Sequence, residues 1–444
     1  MRTSFFAFII FLNIGICRAQ QDIRIQKPAQ IENTSRKQAS LRDVFNQLQT
    51  SPLVLGKKLK DKDLKICLLL PYKSSRAFAF IQENIEPNEL KSKPRLLPAD
   101  IKNVLDFHLG VKLAVEHIRS IYPDLRFEVY CSDTRGNDSI LDELLTDKNI
   151  LQADIIIGPS DPEGAKKVAE FCKQRRIINI QPFLPARSLT HNNPYHIKIA
   201  PTIEAHIDNI FRSITDSFLK QNIIIYTTNS SRDRSAAERL DSLLKNYSSE
   251  NNYPVNVSIC NPYVKNASSE KKNLSELIHP HKLNVIIGCV FDEANAQLIT
   301  RQLASYNGRV MLYCMPNWLN SEIIRLDYLN KLNTRLTEPF WEDTIENKKA
   351  IDFVNHFRDK YGFYPSKYSW LGYDTFCWLA KSINETESFP EQIRGTFYAG
   401  AGYKFQFRAV EKAAKNEPGN QIDYYENTFL HLLKIEDYQL KKIW

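Results

Sequence analysis

From Leu64 onward, short runs of branched apolar residues alternate with amphipathic stretches at helical spacing, and the alternation runs through twice. Such a rhythm constrains the fold strongly. Parallel strands need a long crossover between them, so strand–helix repetition predicts mostly parallel sheets wrapped by helices. In the first series Lys65–Pro71 (KICLLLP) reads as a buried strand. Asp106–Tyr122 reads as a helix striped by Leu109, Leu113, Ile118 and Ile121. Strand Phe127–Cys131, short helix Ser139–Leu145, strand Ala153–Gly158, helix Pro162–Arg175 and strand Ile177–Ile180 follow, and Tyr195–Ala200 leads away from this layer. The second series pairs helix Ile203–Leu219 with strand Asn222–Thr227, Ser235–Tyr247 with Val255–Ile259, and Glu270–Ile278 with Asn284–Val290. Helix Glu293–Tyr306 then leads to strand Arg309–Cys314. Helical Asn347–Tyr361 and Ser369–Ile383 come after this series has closed, which predicts a return to the first lobe; strand-like Tyr403–Phe407 and Phe429–Ile435 follow. The expected class is α/β, two doubly wound lobes joined by hinge crossings, a clamshell able to close around a ligand. Lobe 1 would hold 64–200 with 343–400, and lobe 2 would hold 201–342 with 401–444.

Residues 1–19 read as a secretory leader, with Arg2, the apolar run Phe5–Ile16, and Cys17-Arg18-Ala19 ahead of Gln20. That run is too short for a permanent span, and no later stretch is long and apolar enough, so the expectation is an exported protein without a membrane span. Acylation of Cys17 after cleavage is the rival, disfavoured by bulky Ile16 before it. Residues 20–63 read as a polar linker with one short helical stretch, Leu41–Leu48. The net charge of +8 is thin for 444 residues, and Arg2 and Arg18 leave with the leader, which argues against nucleic acid as a partner.

Past Cys17, the cysteines Cys67, Cys131, Cys172, Cys260, Cys289, Cys314 and Cys377 are odd in number and lack metal or redox spacing. They read as buried small apolar residues rather than a disulfide framework. There is no phosphate loop, no G-x-G-x-x-G after a strand, no H-E-x-x-H and no G-x-S-x-G. His279-Pro-His281 stands before a strand without ligating neighbours and reads as a loop; Asp292-Glu293 opens a helix and reads as a cap. No metal, no cofactor and no catalysis are expected.

Ligands of open α/β sheets sit just past the carboxyl ends of the strands, so the strand exits supply the candidates. In the first series these are Tyr72, Ser74 and Ser75, then Ser160 and Asp161 after Gly158-Pro159, then Phe183. In the second they are Asn229 and Ser230, Asp292, and Asn317 with Trp318. Hydroxyls, amides and aromatics suit a small polar molecule or peptide. The same residue types cap helices, and Trp318 suits a core equally well, so both roles stand open for each position.

Gly158-Pro159-Ser160 before a helix, Ile177–Phe183 and Asn193-Pro194-Tyr195 resemble the first lobe of type I periplasmic binding proteins, the branched-chain amino-acid receptors of ABC importers among them. Leu105–Ala114, Pro316-Asn317-Trp318, Tyr328–Asn333 and Gly372-Tyr373-Asp374 are similar to the LysM-associated, amino-acid substrate-binding subgroup of gram-negative bacteria. The resemblance implies a bilobed fold, a periplasmic address and no catalysis. It also implies that Ser74 or Ser75, with Ser160, would hold an amino acid's carboxylate and amine. Three departures from the family stand out: a long polar insertion between Tyr72 and Asp106 that includes Lys91–Arg95, Asn229–Asp233 in place of an Asp-x-Tyr-Gly turn, and no LysM repeat in 20–63. Two functions are therefore expected to compete. One is a solute-binding protein that closes its lobes around an amino acid, peptide or wall fragment. The other is a non-transport module contacting envelope or peptidoglycan-synthesis proteins, with peptidoglycan association as a further expectation.

Overall fold

The computed structural model describes residues 23–25, 59, 63–85, 97–263, 273–306, 308–411 and 422–444. The leader, most of the linker, Leu41–Leu48 and Lys91–Arg95 lie outside them. The chain divides into two compact units, one from residues up to Ala200 and Glu342–Asn427, the other from Pro201–Trp341 and Thr428–Trp444.

Unit 1 is built on strands β1 (Ile23–Ile25), β2 (Leu64–Leu70), β3 (Phe127–Asp133), β4 (Ile155–Ile157), β5 (Ile178–Gln181) and β6 (His196–Lys198). Its sheet runs β1-β3-β2-β4-β5-β6 with every pairing parallel. Strands flanked on both faces read as continuous apolar runs, and every residue of β4 (III) and β2's Cys67–Leu70 is buried. The longer crossover helices are α1 (Ser74–Ile85), α2 (Ala99–Ile121) and α3 (Pro162–Arg175), and two short helices, Asp138–Leu144 and Lys148–Leu151, link β3 to β4.

Unit 2 carries α4 (Ile203–Ser217), β7 (Asn222–Thr227), α5 (Ser231–Glu250), β8 (Val257–Cys260), β9 (Asn284–Cys289), α6 (Glu293–Ala304), β10 (Val310–Tyr313) and β11 (Arg335–Glu338). Then α7 (Lys348–Tyr361), α8 (Lys367–Glu385), β12 (Phe397–Ala399), β13 (Lys404–Glu411) and β14 (Ile422–Asn427) belong to unit 1. The chain ends in unit 2 with β15 (His431–Glu436) and β16 (Gln439–Lys442). Among the described residues, the second sheet runs β16-β15-β11-β10-β9-β7-β8, parallel except at its β16-β15-β11 side.

The segment 401–427, expected in lobe 2, completes the first sheet instead: β14 pairs in parallel with β6 (Tyr425 opposite Ile197), and β13 and β12 follow antiparallel. A strand's own pattern reports its faces and not its neighbour, so the third crossing falls at Asn427–Thr428 rather than near Ala401. Ile23–Ile25, expected in a linker, joins the opposite edge beside β3.

The close crossing of α2 and α8 explains two of the similar stretches. A Cβ on Gly110 would collide with the Ser369 carbonyl, and one on Gly372 with the Phe107 carbonyl, so only glycine admits this approach. On the same helix, buried Asp374 accepts the amides of Ala401 (2.7 Å), Gly402 (2.8 Å) and Tyr403 (2.7 Å), pinning the turn before β13 to α8. All seven described cysteines are free, six of them buried and Cys377 half-buried. Burial pushes the Cys67, Cys131 and Cys289 thiols up to about 12, which keeps them protonated and inert.

Candidate ligand-binding strand exits

In unit 1 the exit of β2 runs into α1, within the stretch that sequence reading gives as a polar insertion. Asp133, opposite Leu70 in register at the end of β3, supplies the missing acceptor. Its Oδ1 accepts the amides of Lys73 (3.0 Å) and Arg135 (2.8 Å), and its Oδ2 accepts the amide (2.9 Å) and hydroxyl (2.8 Å) of Ser74. A carboxylate at a helix's first amides satisfies orphan donors and suits the positive end of the dipole. Ser74 is thereby committed inside the protein, while Ser75 is exposed. Lys73 Nζ reaches Asp100 Oδ2 at 2.7 Å, and this contact holds the Asp100 carboxyl below the usual carboxylate range. Half-buried Tyr72 meets His108 Nδ1 through its hydroxyl at 2.9 Å, and desolvation lowers His108 to about 4.

At the exit of β4, Gly158 adopts φ +97°, where a side chain would strike the Leu69 carbonyl. Asp161 is the N-cap of α3, its Oδ1 accepting the Gly164 amide at 2.7 Å. Ser160, half-buried just before it, makes no side-chain hydrogen bond among the described residues. Buried Gln181, ending β5, donates Nε2 to the Pro159 carbonyl at 2.9 Å and accepts the Phe183 amide at 3.0 Å. That single amide fixes the Ser160 and Phe183 loops to one another. The Phe183 ring stands edge-on to Phe107 with centroids 4.8 Å apart. Deeper in β5, Asn179 Oδ1 meets Nδ1 of His196 on β6 at 2.7 Å, and burial lowers His196 to about 3.

In unit 2 the turn after β7 is tied by Asp233, buried at 1% exposure. Its Oδ2 accepts the Thr228 hydroxyl at 2.6 Å, and its Oδ1 accepts the Phe291 amide at 3.2 Å. Asn229, exposed, donates Nδ2 to the Tyr263 carbonyl at 3.0 Å and accepts from Asn261 at 3.1 Å. Ser230 precedes α5 with no side-chain cap bond. Asp292 is the N-cap of α6, accepting the Asn295 amide at 2.9 Å.

Trp318 is a core side chain. It is 1% exposed, its ring lies over Gly288, and Nε1 donates to the Val290 carbonyl at 2.7 Å. It positions the exit of β9 and presents no surface of its own. Asn317 donates Nδ2 to the Phe291 carbonyl at 2.9 Å, which leaves its Oδ1 buried without a partner. The Arg232 guanidinium lies over the Phe291 ring, 3.9 Å from the centroid.

Four candidates are therefore committed within the protein: Ser74, Asp161 and Asp292 at helix starts, and Trp318 in the core. Sequence reading places Gln181, Arg232 and Asp233 in strand-exit segments without a role of their own, and does not single out Asp133. Gln181, a polar residue closing a strand buried at every position, is the one local signal. Among the described residues no three His, Cys, Asp or Glu side chains gather as a metal set. His279 Nδ1 accepts the amides of His281 (3.1 Å) and Lys282 (3.2 Å), a turn-making role. No helix of the described residues is long and apolar enough to cross a membrane.

The family model described as the receptor family ligand binding region matches residues 108–408. No curated protein sequence matches the chain. Among solved structures, an ABC transporter substrate-binding protein from Desulfitobacterium hafniense, crystallised with Leu, is 14% identical. It covers 86% of this chain and 100% of its own, with a TM-score of 0.52. A protein from Rhodospirillum rubrum assigned to branched-chain amino acid ABC transport is 12% identical, with 86% and 100% covered and a TM-score of 0.56. An ABC-type branched-chain amino acid transporter protein from Rhodopseudomonas palustris is 14% identical, with 83% and 96% covered and a TM-score of 0.52. At these identities the likeness is one of fold, the type I periplasmic binding protein fold.

Proposed function

Because the chain belongs to the receptor ligand-binding-region family, we propose that it is a periplasmic, non-catalytic, two-lobe solute-binding protein for one small polar ligand: an amino acid, a peptide or a wall fragment. The observation that carries this reading is a buried polar atom left without a partner at a strand exit of unit 2, Asn317 Oδ1, with the half-buried Ser160 hydroxyl at a strand exit of unit 1 free of side-chain bonds among the described residues. A buried acceptor without a donor is costly, and a ligand N–H or O–H relieves that cost. Loops pinned by Gln181, Asp233 and Trp318 hold these groups in place before any ligand arrives, which lowers the ordering cost of binding. The apolar run Phe5–Ile16 supports export. The LysM-associated subgroup is supported by the similar stretches, of which Gly110 and Gly372 seat α2 against α8.

The test is calorimetry and thermal unfolding of the mature chain against the standard amino acids, short peptides and muropeptides. At least one compound should bind with measurable heat and raise the unfolding temperature. Ser160→Ala should weaken that compound about tenfold, equivalent to about 1.4 kcal/mol. Silence across all three classes would end the solute-binding reading.

A further inference from the structure

We infer that Arg232, Phe291 and Asn317 form a subsite on unit 2 for a carboxylate that carries a neighbouring neutral amide N–H, the arrangement of an N-acylated amino acid or of a peptide's C-terminal residue. The inference rests on the solute-binding reading and names its ligand class.

Phe291 is the centre of the construction. Its amide is held by Asp233 Oδ1 (3.2 Å), its carbonyl by Asn317 Nδ2 (2.9 Å), and its ring lies under the Arg232 guanidinium at 3.9 Å. Three contacts from two neighbouring strand exits leave this one residue little freedom. Arg232 is exposed and forms no ion pair among the described residues. A guanidinium laid flat on an aromatic ring keeps the N–H fork at its edge free for a planar carboxylate. Beside it, Asn317 has spent its donor on Phe291, so the one group left unsatisfied is a carbonyl oxygen that can only accept.

The strand-exit carboxylates decide between a free amine and an amide. An ammonium group calls for a carboxylate partner when desolvated. Asp233 ties Thr228 to Phe291, and Asp292 caps α6 while also accepting from Asn295 Nδ2 at 2.9 Å. With Asp233, the carboxylate in contact with Phe291, buried and bonded at both oxygens, the open acceptor at Phe291 is the neutral Asn317 carbonyl, and that suits an amide N–H.

The experiment compares each standard amino acid with its N-acetyl form and its N-acetyl amide on the mature chain, by calorimetry. For the amino acid whose side chain binds best, the N-acetyl acid should bind at least tenfold tighter than the free amino acid, and the N-acetyl amide should lose that gain. Arg232→Gln should weaken the N-acetyl acid at least tenfold and leave the amide unchanged. Asn317→Asp should shift preference toward the free amino acid. Free amino acids binding as tightly as acylated ones, or an Arg232→Gln variant with wild-type affinity, would overturn this assignment while leaving the solute-binding reading intact. No binding by any compound, with muropeptides and longer peptides also silent, would overturn both.

Discussion

The two units treat the same structural position in opposite ways. In unit 1 the turn after the first strand of the sheet's repeat is closed by Asp133, which consumes the donors of Lys73 and Ser74 before any ligand could. In unit 2 the corresponding turn after β7 is tied from beneath by Asp233, and Arg232 beside it stays exposed. Both are strand-to-helix turns with an acidic residue in the hydrogen-bonding role. What differs is whether the acid faces the helix's leading amides or a neighbouring loop. A helix start is therefore a binding site only when the chain does not already fill it.

Acidification should bring out the largest contrast between the units. His108 and His196 of unit 1 are lowered by burial to about 4 and about 3, and His206 of unit 2, bonded to Thr337 at 2.7 Å, to about 4, from an ordinary 6.5. Depressed folded-state values mean that the unfolded chain takes up protons first. The stability these groups confer is complete above pH 6.5 and is lost as pH falls toward 4 and 3. At pH 4 this amounts to about 3 kcal/mol or more per histidine. Thermal unfolding between pH 7 and 4 should show unit 1 failing first, and a His108→Gln, His196→Gln double variant should flatten the profile more than His206→Gln. Equal profiles would remove the contrast.

Trp318→Ala comes next, at about 3–5 kcal/mol for a large buried ring whose loss also frees the Val290 carbonyl. Urea unfolding measures it, and ligand affinity should fall only because the Phe291 loop loosens. Asp133→Ala strips three hydrogen bonds from the start of α1 and one from the turn after β3, and should cost about 2–3 kcal/mol. The variant should also take up acetate or sulfate at Ser74, detectable by a salt-specific rise in unfolding temperature. If it does not, the helix start was never an anion seat. Asp161→Ala, losing one cap bond, should cost about 1 kcal/mol. Smallest is Arg232→Gln, within about 0.5 kcal/mol of wild type in stability because the side chain is exposed. Its effect belongs to affinity alone, and a large stability loss would recast Arg232 as structural.

Much of the scaffold was legible because periodicity is local. Pro162–Arg175 and Asn222–Thr227 are where the pattern placed them, and Ile203 and Glu293 open the helices expected there. Caps were legible for the same reason: Asp161 and Asp292 act within three residues of themselves. Helix α1 was not, since its leading amides depend on a carboxylate about sixty positions away. The short strands Arg335–Glu338 and Ile422–Asn427 were not either, because their apolar content is modest and pairing partners supply their order.

The amino-acid sequence alone determined that this chain makes two α/β series, where most of their helices and strands lie, and which turns hold polar residues. Tertiary structure decided the remainder: that β12 to β14 complete the first sheet, that Ser74 is spoken for, and that Asn317 keeps an unanswered carbonyl beside Arg232 and Phe291. The physical reason is reach. Periodicity and capping act over a few residues, whereas strand partners and the fate of each donor and acceptor are settled between segments far apart along the chain, once burial forces every polar group to find a counterpart.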